Sequence, residues 1–274
     1  MKSKFSFRNL INGICIGISN IIPGVSGGTT AVVLGIYEKL IESISGLKSN
    51  FKENMMFLLQ IGIGAGIGIV AFSGIISMLL EKYTVAVNYL FVGLVLGSVS
   101  MIVNKVENKK ISPNKIIGFI IGLTLVMLIS IIGGKLQETS SVTSSAAQNV
   151  SYLALGFAGF MTALTMILPG VSGSLTLVML GLYDDFTKAI ATFNISYLIA
   201  GAIGGIIGLI VTVKIVSYLL KHYSDTTYSA ILGLVVGSVF VIIMANPMGQ
   251  SWLIALITVF VGALFTTIVS KNFG

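Results

Sequence analysis

The chain has 274 residues, of which 55% are hydrophobic and only 9% charged. A soluble protein carries about 25% charged residues, so this chain cannot cover a water-facing surface and a soluble fold is excluded; the mean hydropathy of +1.02 agrees. The net charge is +7, almost all of it from Lys, and in a membrane chain that balance reflects orientation and anionic head groups, not nucleic acid.

Lys2, Lys4 and Arg8 precede an apolar stretch, as in a signal peptide. Pro23 and a Gly/Ser loop follow, without a small-x-small cleavage site, so the segment is expected to be retained. The first apolar segment, 8–46, is broken in the middle by Pro23-Gly24-Val25-Ser26-Gly27. Three apolar helices are predicted after it, at about 54–80, 85–104 and 115–133, from runs long enough to cross a hydrocarbon core of about 30 Å. A polar stretch rich in Ser and Thr comes next, and then the pattern starts again.

The second broken segment, 151–192, carries Leu168-Pro-Gly-Val-Ser-Gly-Ser where the first carries Ile22-Pro-Gly-Val-Ser-Gly-Gly, 146 residues earlier. Leu80-Glu-Lys-Tyr83 matches Leu220-Lys-His-Tyr223, and the GLVLGSV run at 93–99 matches GLVVGSV at 233–239, at a spacing of 140. Two blocks in register with one small indel mark a duplication. Predicted helices at 195–220, 227–245 and 251–270 complete the second copy. The whole chain, 1–274, is read as a single membrane domain: repeat one at 7–134, a polar loop at 135–149 and repeat two at 150–271.

Lys2, Lys4, Arg8, Lys39, Lys48, Lys52, Lys105, Lys109, Lys110, Lys115, Lys214, Lys221 and Lys271 fall on the inner side if the N-terminus is cytoplasmic, and only Lys82, Lys135 and Lys188 fall outside. That bias sets both termini inside. Each unit has an even broken segment plus three crossings, so the second copy is expected upside down relative to the first. The expected fold is therefore all-α, with two inverted repeats, each a broken, re-entrant helical hairpin followed by three transmembrane helices. In transporters of this type the substrate site lies near the midplane, at the repeat interface.

Pro23 and Pro169 each stop a helix. The new helices begin with free N–H groups at Ser26, Gly27 and Gly28, and at Ser172, Gly173 and Ser174, and a helix start is an anion site. The hydroxyls of Ser26, Thr29 and Thr30, and of Ser172, Ser174 and Thr176, add donors. Alternatively, the turns are only tight glycine-packed breaks with capping serines; their pairing at matched positions favours a site. The glycines at 62, 64, 66 and 68 and at 201, 204, 205 and 208 are read as packing positions.

Gly-x-Ser-Gly also occurs in intramembrane serine proteases, but that chemistry needs a His base. The single His222 lies in a Lys-His-Tyr cluster at a predicted helix end, so no catalytic residue is assigned. Glu38 and Asp184 occupy equivalent positions, each after a Tyr; they either exchange protons or gate transport, or they cap helix ends in the head-group region. Cys15 is alone, no His or acidic cluster suits a metal, and no nucleotide motif occurs, so no metal or cofactor is expected.

The doubled signature, IIPGVSGGTTAVVLGIYEKLI at 21–41 and ILPGVSGSLTLVMLGLYDDF at 167–186, resembles the bacterial polyprenol-phosphate translocase family, formerly domain of unknown function 368, over nearly the whole chain. The resemblance implies a flippase that returns undecaprenyl phosphate from the outer to the inner leaflet of the bacterial plasma membrane for cell-wall synthesis, with no cofactor. Its partners would be polyprenyl phosphate and membrane lipids, with a homo-oligomer left open. Carried onto this chain, the motif residues are Pro23, Gly24, Ser26, Gly27, Gly28, Thr29 and Thr30, and Pro169, Gly170, Ser172, Gly173 and Ser174. Copy two has Ser174 for Gly28 and Leu175 for Thr29, so its turn is expected to be the weaker phosphate site or mainly structural. The rival reading is a channel or secondary transporter for a small soluble anion; a membrane enzyme acting on the lipid would need a nucleophile–base pair.

Overall fold

The structure is a computed structural model that describes residues 5–22, 25–108, 110–140 and 151–273. Among these residues it is helical throughout, without strands. The first half holds α1 (Phe7–Ile21), α2 (Gly27–Val33), α3 (Tyr37–Ser45), α4 (Phe51–Lys105) and α5 (Pro113–Ser140). The second holds α6 (Tyr152–Ile167), α7 (Gly173–Met179), α8 (Tyr183–Ala191), α9 (Ile195–His222), α10 (Ser224–Ala245) and α11 (Trp252–Phe273). Among the described residues five helices, α4, α5, α9, α10 and α11, are long and apolar enough to cross a membrane. On α5, Ile117, Ile120, Ile121 and Leu128 are exposed, as are Phe260 and Phe265 on α11, which suits helices whose outer faces meet lipid.

Fifty-five residues of α4 make about 80 Å of helix, far more than a bilayer core of about 30 Å. Tyr83, at φ −134° and ψ 40°, breaks it into two arms, 51–82 and 84–105. The counterpart Tyr223 has φ −133° and ψ 44° and separates α9 from α10. The matched Tyr positions in the sequence are thus the same backbone break in both halves.

The broken segments differ from the expected hairpin of two pieces: each is cut twice. Past the Pro-Gly break, α2 and α7 each end within seven residues, at Gly35 (φ +69°) and Gly181 (φ +68°). Both ends close in the same way, with Ile36 N–H donating to Ala31 O (2.9 Å) and Leu182 N–H to Leu177 O (3.0 Å). This is the six-to-one bond of a helix stopped by a left-handed glycine. Downstream, α5 runs on to Ser140, past the expected end at 133, and the remainder of the expected polar loop, 141–149, lies outside the described residues.

Close glycine seams set the packing. On α1 and α4, a Cβ at Gly13, Gly17, Gly64 or Gly68 would strike the backbone oxygen of Ile61, Ala65, Leu10 or Ile14. In the other half, Gly159, Gly204 and Gly208 meet Gly201 O, Gly156 O and Phe160 O, which are the equivalent positions. Partner numbers rise together, so α1 runs parallel to the first arm of α4, and α6 to α9. The pieces α2–α3 and α7–α8 must therefore bring the chain back. Within the 62–68 run only Gly64 and Gly68 touch a neighbour; Gly62 and Gly66 have nothing within 4 Å.

The last helix of each half packs on the other half. On the second arm of α4, Gly93 and Gly97 admit Val259 and Ala263 of α11; on α10, Gly233 admits Phe119 of α5. Gly262 and Gly122 return the contact to Leu90 and Ala230. This accounts for the GLVLGSV and GLVVGSV runs: they are the grooves that receive the exchanged helices.

The second arm of α4 and α10 run antiparallel. At one end, Tyr89 OH donates to Asn246 O and Asn88 Nδ2 to Asn246 Oδ1, both at 3.0 Å. At the other, Asp225 accepts the N–H groups of Glu107 (2.9 Å) and Asn108 (3.3 Å) and pairs with Lys115 Nζ at 3.0 Å.

Candidate functional site

The two Pro-Gly breaks come together between the halves. After α1, Val25 N–H returns to Ile22 O (3.2 Å) and Ser26 turns extended (φ −105°, ψ 149°) to open α2. Pro23 and Gly24 lie outside the described residues. Ser26 Oγ accepts the Thr29 N–H (3.1 Å) and bonds Thr29 Oγ1 (2.9 Å), a side-chain cap that satisfies one orphan donor of the new helix. Thr30 Oγ1 donates to Ser26 O at 3.4 Å.

The second break is built alike up to Val171, whose N–H reaches Leu168 O at 3.4 Å. Gly170 takes φ +88°, and a Cβ there would lie 2.7 Å from Leu234 O on α10; both conditions require glycine. Its N–H points across to the first half, donating to Thr29 Oγ1 at 2.7 Å and Ser26 Oγ at 3.1 Å. Beside it, a Cβ on Gly28 would stand 3.0 Å from Ile167 O, at the end of α6.

The breaks are not equivalent in access. Ser26 and Thr29 are 3% exposed and Thr30 8%, with the Ser26 and Thr29 hydroxyls engaged in the cap and the Gly170 contact. At the second break Ser172 is half-buried and Ser174 exposed; their hydroxyls bond each other at 2.7 Å, and no side chain caps the first turn of α7. Thr176 is buried and bonded to Thr165 Oγ1 at 2.7 Å. The motif departures make the second turn the expected weaker phosphate site or a mainly structural one; its hydroxyls and helix start are the accessible pair in the structure. Pro169 is buried, and Gly173 abuts Thr162 Cγ2.

Sequence reasoning missed Thr165, Asn20 and Thr162. The Asn20 side chain lies about where a Cβ on Gly27 would meet it, at 3.1 Å, and the buried Thr162 Oγ1 has no hydrogen-bond partner among the described residues. A polar residue within an apolar run was the available signal. Glu38, at the start of α3, pairs with Lys105 at 3.1 Å near the surface; Asp184 lies in α8, and its side chain is outside the described set.

An apolar cavity of about 680 Å³ adjoins the first break. Gly27, Gly28 and Ala31 of α2, Tyr37 of α3 and Gly205 of α9 are among its walls.

Chemically, the breaks offer N–H and O–H donors and no base. His222 sits exposed at the end of α9, its ring stacked on Tyr218 at 4.2 Å between centroids. Helices of membrane-spanning length, interrupted by mid-chain breaks that carry N–H and O–H donors, define a multi-pass membrane protein built like a transporter. The chain belongs to the VCA0040-like family, described as undecaprenyl phosphate translocase-like, which it matches over residues 16–258. It is 31% identical over 242 residues to a polyprenyl-phosphate transporter of Vibrio cholerae serotype O1 (strain ATCC 39315 / El Tor Inaba N16961), covering 83% of this chain and 74% of the relative. It is 30% identical over 282 residues to a polyprenyl-phosphate transporter of Staphylococcus aureus (strain NCTC 8325 / PS 47), covering 99% of this chain and 97% of that one. No solved structure matches it significantly.

Proposed function

We propose that the chain is a lipid flippase for undecaprenyl phosphate, moving it from the outer to the inner leaflet of the bacterial plasma membrane for reuse in cell-wall synthesis. The named activity of both relatives supports a polyprenyl phosphate substrate. The observation that carries the mechanism is the meeting of the two breaks, where Gly170 N–H reaches Ser26 and Thr29. The antiparallel run of the second arm of α4 and α10 supports an inverted pair of repeats, 7–134 and 150–271. The Lys/Arg bias supports cytoplasmic termini.

On this reading a phosphate entering from one leaflet meets the accessible break first, at Ser172, Gly173 and Ser174. The latched break, at Ser26, Gly27, Gly28, Thr29 and Thr30, opens when the halves rock to the opposite state. Backbone N–H groups at the helix starts, with Thr176 and the serine hydroxyls, replace the water lost by the head group. Pro169 and Gly170 form the turn of the second break, Pro23 and Gly24 are assigned the same part in the first by the repeated motif, and Glu38 and Asp184 act at the mouths as gating or proton-coupling groups. A small soluble anion would need a polar path; the apolar cavity beside the first break supports a lipid instead.

Depletion in cells lacking other recycling flippases provides the test. Surface-exposed carrier phosphate should rise, and Ser172→Ala, Ser26→Ala or Gly27→Leu should fail to restore it. Full restoration by all three removes the breaks from the mechanism.

A further inference from the structure

Equivalent positions of the two halves both line the apolar cavity. Ile16 and Thr162, Leu40 and Phe186, and Ile61 and Gly201 are repeat counterparts, and all six line it. The cavity is therefore shared by the two halves, where a rocking transporter keeps its substrate, and it opens outward past the exposed Met166 and Ile206. It is also continuous with the first break, since Gly27 and Gly28, the opening residues of α2, form part of its wall. Its polar groups are few, Tyr37 and Thr162 among them, so it would not retain a hydrated ion.

We propose that this cavity is a binding site for the isoprenoid chain of the transported lipid, taking the few units next to the phosphate while the rest of the tail stays in the bilayer. The inference rests on the polyprenyl phosphate reading above and adds a subsite to it: the protein grips the tail as well as the head. A volume of about 680 Å³ falls among pockets that enclose drug-sized ligands, about 300–1,000 Å³, so it suits a short stretch of chain and not a whole polyprenyl tail. Transfer of apolar groups from lipid into such a site gains little from hydration; close packing of a branched chain against Leu40, Phe186 and the glycines of α9 supplies the preference over a plain acyl chain.

Gly205 gives a clean way in. A Cβ there would have only Gly159 O near it, at 3.7 Å, an ordinary contact, so Gly205→Leu adds bulk to the cavity wall from a position that accepts a Cβ. The full chain in nanodiscs would be titrated with geranyl phosphate, farnesyl phosphate, inorganic phosphate and dioleoyl phosphatidic acid. In the wild type, affinity should rise from geranyl to farnesyl phosphate and exceed that for phosphatidic acid. Gly205→Leu should weaken farnesyl phosphate by about tenfold or more and abolish the chain-length trend, leaving inorganic phosphate unchanged. Gly66→Leu, at a position with nothing within 4 Å, should leave the trend intact. A photoreactive farnesyl phosphate on the wild type should label 201–209 and 37–44, which keeps the proposal testable even if the variant misfolds.

Farnesyl phosphate binding unchanged in Gly205→Leu, or labels elsewhere, overturns the subsite and leaves the flippase reading standing. Phosphatidic acid binding as tightly as farnesyl phosphate, with the same loss in the variant, assigns the cavity to ordinary lipid and also overturns it. Absence of binding by any isoprenyl phosphate, geranyl to undecaprenyl, removes the flippase reading itself and the subsite with it.

Discussion

Gly170 N–H donates to Thr29 Oγ1 at 2.7 Å, a bond between breaks that stand 141 residues apart in the chain. Thr29 has Leu175 as its counterpart, which has no oxygen to offer, so the same bond cannot form in mirror image. The two breaks carry similar motifs, and the difference at this one position lets only the first clasp the second.

Thr29→Val keeps the shape and removes the acceptor. The buried Gly170 N–H then keeps only Ser26 Oγ at 3.1 Å, and Ser26 loses a partner. A loss of about 1–2 kcal/mol is expected, read as a lower midpoint in thermal unfolding of the purified protein. An unchanged midpoint would mean that the clasp contributes nothing.

The seams predict a sharp split among glycines. Gly93→Leu and Gly233→Leu would drive side chains into Val259 O and Phe119 O, and both should abolish the monodisperse folded protein in size-exclusion chromatography. Gly62→Ala and Gly74→Ala meet nothing within 4 Å and should be neutral or stabilising by up to about 1 kcal/mol, the usual gain over glycine within a helix.

The two acidic pairs should behave differently. In the Glu38–Lys105 pair Lys105 is exposed and Glu38 half-buried near the surface, and Glu38→Gln should change stability by less than about 1 kcal/mol. Asp225 holds two loop N–H groups as well as Lys115, so Asp225→Asn should cost clearly more in the same unfolding measurement. Equal effects would deny the loop contact any structural role.

Tyr89 is 1% exposed and its hydroxyl bonds Asn246 O. Tyr89→Phe should cost about 1 kcal/mol and loosen the α10–α11 connection, seen as faster amide exchange around 246–251. Protection equal to wild type there would show that the bond does not hold the turn.

The large features were legible because their chemistry is local. Pro and Gly announce the breaks at 23 and 169, and the repeated Tyr83 and Tyr223 announce the bends after them. The extra breaks at Gly35 and Gly181 were not: Leu-Gly-Ile-Tyr and Leu-Gly-Leu-Tyr are apolar, and a single glycine within an apolar run usually continues a helix. The 93–99 and 233–239 runs were visible as repeats, but no local rule says that their groove belongs to the last helix of the other half. Thr29 was read as a donor toward an anion; its service as an acceptor for Gly170 depends on a contact across most of the chain, which no spacing encodes.

Because α5 lies in the groove of α10 and α11 in that of α4, neither half owns a complete exterior. Severed in the 141–150 stretch, each fragment would expose a glycine groove with nothing to fill it and a stray helix with nowhere to lie. Recovery would then require both fragments in one bilayer, each supplying the helix that the other's groove receives.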